Sequence, residues 1–344
     1  MVCKTMNPKN SILLDHGSGG IASQELISGL FLKHLDNAVL ASLEDSAVLD
    51  NHPGKLAFST DSYVVDPIFF PGGDIGTLAV HGTINDLAMR GARPLCLSLA
   101  LILEEGLDLD DLERVIVSIG TACKESGVPI VTGDTKVVPR GKADKIFINT
   151  SGIGIIAEKV NISSTMARAG DVIILSGSMA DHGITIMTRR AGISLDGDLA
   201  SDSASLHELV ALLLDGLPPG SLHTLRDPTR GGVATSLNEI AAAARLMAEI
   251  EETAIPVHKG VRAACEIMGL DPLYLANEGK CLVIVAPEQA EETLSLMRST
   301  SVGKESAIIG SLKTGTAGQV VLRTGIGGSR IITPLHGEPL PRIC

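Results

Sequence analysis

The chain has 344 residues, enough for two domains that each bury a hydrophobic core. It carries 28 basic and 40 acidic residues, a formal net charge of −12, and no basic cluster dense enough to follow a nucleic-acid backbone. Its longest uninterrupted apolar runs are too short for a transmembrane helix. We therefore expect neither nucleic acid nor a membrane as a partner.

The first residues and the cysteines predict the compartment. Residues Met1–Asn10 are polar and lack the apolar stretch of a secretory signal. The six cysteines include no C-x-x-C pair, which argues against a zinc site and against a disulfide framework. We expect a protein of the reducing cytoplasm.

Helices and strands alternate in the first half of the predicted structure. Asp74 is expected to cap a helix, because its side chain can accept hydrogen bonds from the first turn. The expected helices are Ile21–Leu35, Asp74–Gly91 and Leu109–Ser126, and the expected strands are Asn37–Ala41, Ala47–Leu49, Leu56–Tyr63, Arg93–Leu103, Val128–Gly133 and Lys145–Ile156.

A break at Asn161–Gly170 separates a second α/β unit, so the fold class is α/β (α+β) with domains over residues 1–160 and 161–334 and a tail over 335–344. The expected helices are Ala180–Ala191, Ser205–Leu214, Val233–Leu246, Lys259–Met268 and Pro287–Ser299. The expected strands are Asp171–Ser176, Met247–Glu251, Gly279–Val285, Ala307–Leu312, Gln319–Arg323 and Arg330–Thr333.

Four aspartates lie at or near the edges of predicted elements: Asp45, Asp61, Asp86 and Asp134. Carboxylate oxygens from several loops suit Mg²⁺, which takes one or two of them together with substrate phosphates. A single aspartate of this kind is usually a helix cap or a turn residue, but Asp86 lies in the middle of a helix beside Asn85, where a cap has no purpose. The four aspartates together predict a magnesium-nucleotide site for one or two ions.

A glycine-rich run could supply backbone N–H groups to phosphate oxygens, although a flexible linker is the alternative. The run comprises His16, Gly17, Ser18, Gly19 and Gly20. The segment Gly133-Asp134-Thr135 is a second candidate for phosphate contact, and Lys136 could neutralise phosphate charge or simply be an exposed lysine.

The second half offers further candidates. Glu278, in N-E-G-K, could act as a general base from the second domain, and an ordinary loop glutamate is the equally weighted alternative. The motif R-D-P-T-R-G-G at Arg226–Gly232 could bind an anion or could be a domain-joining turn. Among the histidines, His81 is expected to be packed, while His182 and His207 are expected on helix surfaces.

The last ten residues, L-H-G-E-P-L-P-R-I-C, predict an extended tail because two prolines bar a helix. The chain stops at Cys344, and ten extended residues reach at most about 35 Å. Such a tail could carry one sulfur between a site on its own protein and a site on another. A frayed terminus is the alternative.

In this order and spacing, the motifs S-T-D-S, G-T-I-N-D-L-A-M-R-G-A, V-T-G-D-T-K-V and R-D-P-T-R-G-G resemble the aminoimidazole ribotide synthetase-like ATP-binding superfamily. The runs H-G-S-G-G and N-E-G-K and the terminal P-R-I-C resemble its hydrogenase-maturation branch, over essentially the whole chain. The resemblance implies an N-terminal ATP-binding and dimerisation domain, with ATP and Mg²⁺ near the interface of a homodimer. Carried over residue by residue, these positions fall on Asp45, Asp61, Asn85, Asp86 and Asp134.

The resemblance also implies an activity, ATP-dependent dehydration of an S-carboxamide on Cys344 to a thiocyanate. A HypF-type carbamoyltransferase would load the thiol, and a HypC–HypD complex would take the cyanide for the iron of [NiFe]-hydrogenase. Lys136 and Glu278 are the expected catalytic partners of Cys344.

Two kinds of protein compete with this reading. A thiamine-phosphate kinase, a selenophosphate synthetase or aminoimidazole ribotide synthetase itself would act on a free small molecule. Cys3 weakly suggests a selenophosphate synthetase. A non-enzymatic scaffold would bind nucleotide without hydrolysis and display the tail as a docking peptide.

Overall fold

A computed structural model describes residues 10–44, 46–193, 199–337 and 342–344 of the chain. The first domain contains the following elements in chain order: α1 (Ile21–Leu26), a π-helical turn (Ile27–Phe31), α2 (Leu32–Leu35), β1 (Lys55–Tyr63), β2 (Phe69–Phe70), β3 (Gly73–Asp74), α3 (Ile75–Met89), β4 (Ala92–Glu104), α4 (Leu109–Ser126), β5 (Ile130–Val138) and β6 (Ile146–Ile156). The mixed α/β class is confirmed.

The first sheet has the strand order β1-β6-β4-β5, with β4 and β5 parallel and the other pairs antiparallel. Helix α3 packs across β1, β4 and β6, and α4 packs on α3. The opposite face of the sheet exposes large apolar side chains, among them Leu56 and Phe58, which are 71% and 70% exposed. One face of this sheet is therefore covered by α3 and α4, and the described residues leave the other face exposed around Leu56 and Phe58.

Helices α3 and α4 begin where the sequence predicts. The Asp74 carboxylate accepts hydrogen bonds from the N–H groups of Gly76 and Thr77 at 2.8 and 3.0 Å, and Asp108 accepts from Asp110 N at 2.8 Å. These contacts satisfy N–H groups that have no partner within the helix.

The second domain contains β7 (Val172–Leu175), α5 (Asp181–Ala191), α6 (His207–Gly216), β8 (Leu222–Arg226), α7 (Gly232–Ala244), β9 (Met247–Glu251), α8 (Lys259–Met268), β10 (Leu282–Val285), α9 (Ala290–Arg298), β11 (Ala307–Lys313), β12 (Val320–Arg323) and β13 (Ser329–Ile332). Its sheet has the order β13-β12-β9-β11-β7-β10-β8. Alternate residues of β7 and β10 enter two different hydrophobic clusters, so both faces of this sheet are buried.

The structure differs from the sequence expectations at four strands. The segments Asn37–Ala41 and Ala47–Leu49 form no strand; the chain makes a 3₁₀ turn over Leu40–Ser42, and Val48 is 84% exposed. Strand β8 was not expected, and β5 runs on to Val138 instead of ending at Gly133. The exposed Val48 has no sheet face to cover, which removes the reason for a strand there.

Among the described residues, no helix has both the length and the apolar character needed to cross a membrane.

Candidate active site between the two domains

An acidic cleft forms where α3 meets the second domain. Asp61 of β1 and Asp86 of α3 lie on the same side of the first sheet, and the Ser59 hydroxyl donates to Asp86 Oδ2 at 2.6 Å. Burial and then the charge of Asp61 raise the pKa of Asp86, the Ser59 bond opposing them. From the second domain, Arg230 approaches Asp61 Oδ1 at 3.5 Å.

Two more carboxylates complete the cleft from the second domain. Glu278 is 4% exposed, and its Oε1 has no hydrogen-bond partner among the described residues. Burial, followed by the charges of Asp202, Asp227 and Asp61, raises its pKa well above the ordinary value. Burial, followed by the charge of Asp86, raises the pKa of Asp227 to about 7. The cleft therefore gathers carboxyl groups whose pKa values are raised by burial and by one another's charge.

Asp202 binds the backbone of Glu278. Its Oδ1 accepts the backbone N–H of Glu278 at 3.1 Å, and Lys280 Nζ lies 3.5 Å from its Oδ2. Both side chains are nearly buried, with exposed fractions of 3% for Asp202 and 13% for Lys280. This pair fixes the main chain on which Glu278 is carried.

Asn85 is not arranged as a nucleotide ligand. Its amide donates to the carbonyls of Ala204 and Glu278 at 3.0 and 3.1 Å, and its Oδ1 accepts from Leu206 N at 2.8 Å. The side chain is 1% exposed and fully occupied by protein partners. Asn85 therefore joins α3 to the second domain.

The glycine-rich run forms an ordered loop before α1. The Gly19 N–H donates to Ser23 Oγ at 2.9 Å, and Ser23 Oγ donates to His16 O at 2.7 Å. Gly17 packs so tightly on β5 that a Cβ there would lie 2.4 Å from Val137 N. The run is therefore a packed turn against the strand that carries Asp134.

A cavity of about 760 Å³ lies beside this loop. It is lined by His16, Gly17, Ser18 and Gly19 and by the strand segment Gly133, Asp134, Thr135 and Lys136. Lys136 Nζ pairs with Asp134 Oδ1 at 2.9 Å, which lowers the pKa of the Asp134 carboxyl. The loop and the strand predicted to contact phosphate are thus brought together.

The three predicted aspartates that the structure describes, Asp61, Asp86 and Asp134, do not converge within one chain. Asp61 pairs with Thr150, whose hydroxyl donates to Ala79 O of α3 at 2.8 Å, so this row faces α3. Asp134 pairs with Ala100, which pairs with Asn149, the residue next to Thr150, so Asp134 faces the open side.

Asp134 also lies within β5, so it does not follow the strand as expected. Asp45 lies outside the described residues.

The end of the tail docks beside the acidic cleft. Cys344 lines a cavity of about 280 Å³ together with Ser62, Arg230 and Tyr274. Its backbone oxygen accepts from Val64 N at 3.0 Å, immediately after β1 ends at Tyr63. Arg230 lines this cavity and also reaches Asp61, so the sulfur-bearing residue adjoins the carboxylates.

The histidine expectations are confirmed in one case and wrong in another. His81 is half-buried, with Nδ1 3.0 Å from Ser203 Oγ, and burial lowers its pKa to about 4. His182 is completely buried, not a helix-surface residue, because the docked tail covers it. His207 is half-buried in α6.

The described residues contain no group of three or more His, Cys, Asp or Glu side chains placed to hold a metal ion. Mg²⁺ on a nucleotide needs only one or two carboxylates, because phosphate oxygens and water complete its shell. Asp61 and Asp86, adjacent and on one side of the sheet, fit that smaller requirement.

Comparison with known proteins defines the class first. Residues 43–156 match the AIR synthase related protein N-terminal domain, and residues 168–323 match the corresponding C-terminal domain. The chain therefore belongs to the AIR synthase related family, with both of that family's domains.

Within that family the similarity falls on one branch. The chain is 50% identical to the carbamoyl dehydratase HypE of Azotobacter vinelandii over 334 residues, 97% of each protein. A crystal structure of the hydrogenase maturation protein HypE in complex with ATP is 56% identical, with a TM-score of 0.93 over 96% of this chain and 99% of that one. A HypE–HypF complex structure is 44% identical, with a TM-score of 0.79 over 90% and 99%. The branch of the family to which the chain is most similar in these comparisons is therefore that of the HypE carbamoyl dehydratases.

The sequence reasoning did not single out Asp202, Asp227 or a role for His182. Asp227 lies within the motif R-D-P-T-R-G-G, which predicts an anion site and gives no sign that this carboxyl group is a member of the acidic cleft. Asp202 carries no motif, and only the tertiary contact with Glu278 N identifies it.

Proposed function

We propose that this protein is an ATP-dependent carbamoyl dehydratase that converts an S-carboxamide on its own Cys344 into a thiocyanate, as a step in making cyanide ligands for [NiFe]-hydrogenase. The full-length similarity to carbamoyl dehydratases supports this. The observation that carries it is the docking of Cys344 in a cavity that shares Arg230 with the acidic cleft.

The reaction needs the carboxamide oxygen to leave, and oxide is too poor a leaving group for that in water. Transfer of the ATP γ-phosphoryl group to this oxygen produces ADP and an O-phosphorylated imidate, with loss of one proton from nitrogen. The C–O bond then breaks, phosphate leaves with the oxygen, and loss of the second N–H proton leaves S–C≡N. The balance is carboxamide plus ATP to thiocyanate, ADP, phosphate and a proton.

Glu278 is the base for the second proton. Its Oε1 is buried and has no hydrogen-bond partner among the described residues, and the raised pKa makes the ionised carboxylate a stronger base. Asp202 and Lys280 hold its main chain in place. The buried setting also limits access of water to the activated intermediate.

Asp61 and Asp86 are the residues that would hold Mg²⁺, which neutralises phosphate charge when bound. The glycine-rich run and Gly133, Asp134 and Thr135 would contact the nucleotide, and Lys136 would meet the transferring phosphate. Asp45 belongs to the same metal set by its motif.

Asp134 faces the side of the sheet opposite to Asp61 and Asp86, so a site that uses all three carboxylates requires two chains. The open, apolar face of the first sheet supports a homodimer formed there, through the N-terminal domain over residues 1–160. Light scattering should then give about twice the 35.7 kDa of one chain. A mass of one chain would contradict the dimer.

The proposed partners are those that the resemblance to the hydrogenase-maturation branch implies. A HypF-type carbamoyltransferase would load Cys344, consistent with the solved complex of its relatives. The HypC–HypD complex would receive the cyanide, and the tail over 335–344 would move between these stations in the cytoplasm.

Intact mass spectrometry tests the activity. The protein carbamoylated by its transferase partner is measured before and after addition of Mg²⁺ and ATP, alongside Cys344→Ala. A loss of about 18 Da, one water, in the wild type alone supports the dehydratase. An unchanged mass with ATP bound would contradict the dehydratase and favour the non-enzymatic scaffold.

A further inference from the structure

The last three residues of the chain are held by backbone hydrogen bonds and by the Arg342 and Ile343 side chains, and Arg342 also pairs with Asp144. Val64 N donates to Cys344 O at 3.0 Å, Arg342 Nε donates to Val64 O at 2.9 Å, and Arg190 donates to Arg342 O. The Ile343 side chain is 4% exposed and belongs to the core cluster that joins the two domains. The sulfur is thus placed by the residues just before it.

One side chain in this set comes from the interior of the second domain. His182, in the first turn of α5, is 0% exposed, and its Nε2 lies 2.7 Å from the Ile343 carbonyl oxygen. Its Nδ1 lies 2.8 Å from Ser201 Oγ, and Phe70 packs edge-on against the ring at 5.6 Å between centroids.

These contacts assign the ring's protons. A carbonyl oxygen only accepts, so Nε2 carries the hydrogen and donates to Ile343. Nδ1 then accepts from the Ser201 hydroxyl, whose oxygen accepts from Ser203 N at 3.2 Å. Ser201 and Phe70 fix the ring before the tail arrives, so docking loses little side-chain freedom.

We propose that His182 is a positioning residue that latches the tail inward by donating to the Ile343 carbonyl, and so sets how much of the time Cys344 lies in the cleft. The purpose of the latch rests on the proposed function, but its existence rests on the docked geometry alone. Undocking breaks a buried hydrogen bond, and both of its partners must then find water.

The latch acts on the main chain and therefore does not depend on what the sulfur carries. A thiol, a carboxamide and a thiocyanate on Cys344 all leave the Ile343 carbonyl unchanged. Any preference among these states must come from the cavity around the sulfur, where Arg230, Ser62 and Tyr274 lie. His182 therefore holds the tail, and the residues around the sulfur distinguish what Cys344 carries.

Two amide variants separate the hydrogen bond from the rest of the histidine. In His182→Gln the side-chain NH₂ reaches about as far as Nε2, whereas in His182→Asn it reaches only about as far as Nδ1. Both variants are polar and differ by one methylene. His207→Asn, in a half-buried histidine that contacts Ser205 Oγ at 2.8 Å, is the matched control.

The readout is the alkylation rate of Cys344 by iodoacetamide in unmodified protein, followed by peptide mass spectrometry. We expect His182→Asn to react about tenfold faster than the wild type, a change equivalent to about 1.4 kcal/mol in the docking equilibrium. His182→Gln and His207→Asn should remain near the wild-type rate. Equal rates for Asn and wild type, or equally fast rates for Asn and Gln, would overturn the latch.

A second measurement needs no change in the core. Coupling a bulky maleimide to Cys344 prevents the sulfur from re-entering a cavity of about 280 Å³. Diethyl pyrocarbonate should then modify His182 several times faster, with His207 unchanged and the maleimide-treated Cys344→Ala protein unaffected. If His182 stays protected with the tail held out, the proposal is wrong.

The alkylation and diethyl pyrocarbonate measurements are independent of the dehydratase test, because neither uses ATP or a carbamoyl group. Failure of the latch would leave the mass change with Mg²⁺ and ATP intact. Failure of the mass change would leave the docking measurement intact.

Discussion

Replacing Asp227 by asparagine should make the protein more stable at alkaline pH. This carboxyl lies directly after β8, and burial and then the neighbouring Asp86 raise its pKa from 3.8 to about 7. The folded protein therefore keeps a proton that the unfolded chain releases at lower pH. The associated stability is complete below about pH 4, falls as pH rises towards 7 and is then lost.

The size of the effect follows from the shift. A rise of about three pKa units corresponds to about 4 kcal/mol, and about two-thirds of it accumulates above pH 5. Asp227 is only half-buried and titrates with its acidic neighbours, so solvent and coupling reduce the difference. We expect Asp227→Asn to gain about 1 kcal/mol relative to wild type between pH 5 and pH 8.5.

Urea unfolding at the two pH values measures this, in EDTA so that no cation holds the carboxylates ionised. Asp50→Asn, at an exposed loop position, is the matched control and should show no pH-dependent gain. A gain of equal size at both pH values, or none at pH 8.5, would refute the electrostatic reasoning.

Two further changes test the cleft. Glu278→Gln should lower the dehydration rate at least about 100-fold by removing the base, measured by the mass change under single turnover, while Glu266→Gln on the exposed side of α8 should not. ATP affinity should hold, and an unchanged rate would exclude Glu278 as the base. Asn85→Ala should lower the free energy of unfolding by about 2–4 kcal/mol, because it strands buried groups of both domains. Asn161→Ala should be near neutral in the same melt, and equal losses would contradict the joining role.

The helices were readable from local chemistry. Asp74 and Asp108 are capping residues followed by apolar periodicity, and α4 and α8 have the predicted bounds. Strand β8 was hidden because its buried residues include His223, whose polarity is balanced by Asp171 at 2.7 Å. A buried strand that contains a polar residue can be predicted only when the distant partner of that residue is known.

The site was readable as a set of residues but not as a geometry. Which face of the sheet Asp134 occupies depends on strand register, which the letters do not specify. Asn85 and Asp86 are neighbours in sequence, yet consecutive helix positions point in different directions, so one joins the domains and the other faces the cleft. His182 is covered by a residue 161 positions away.

Because Asn85 and Asp86 are neighbours in α3, the contact that joins the two domains lies next to a carboxylate of the cleft. Asn85 holds the carbonyl of Glu278, and Asp86 is the next residue on the same helical turn. A rigid-body rotation of one domain that keeps the Asn85 bonds would therefore carry Glu278 and Asp86 together. The Asn85 contact therefore limits how far the main chain of Glu278 can move away from Asp86 when one domain turns against the other.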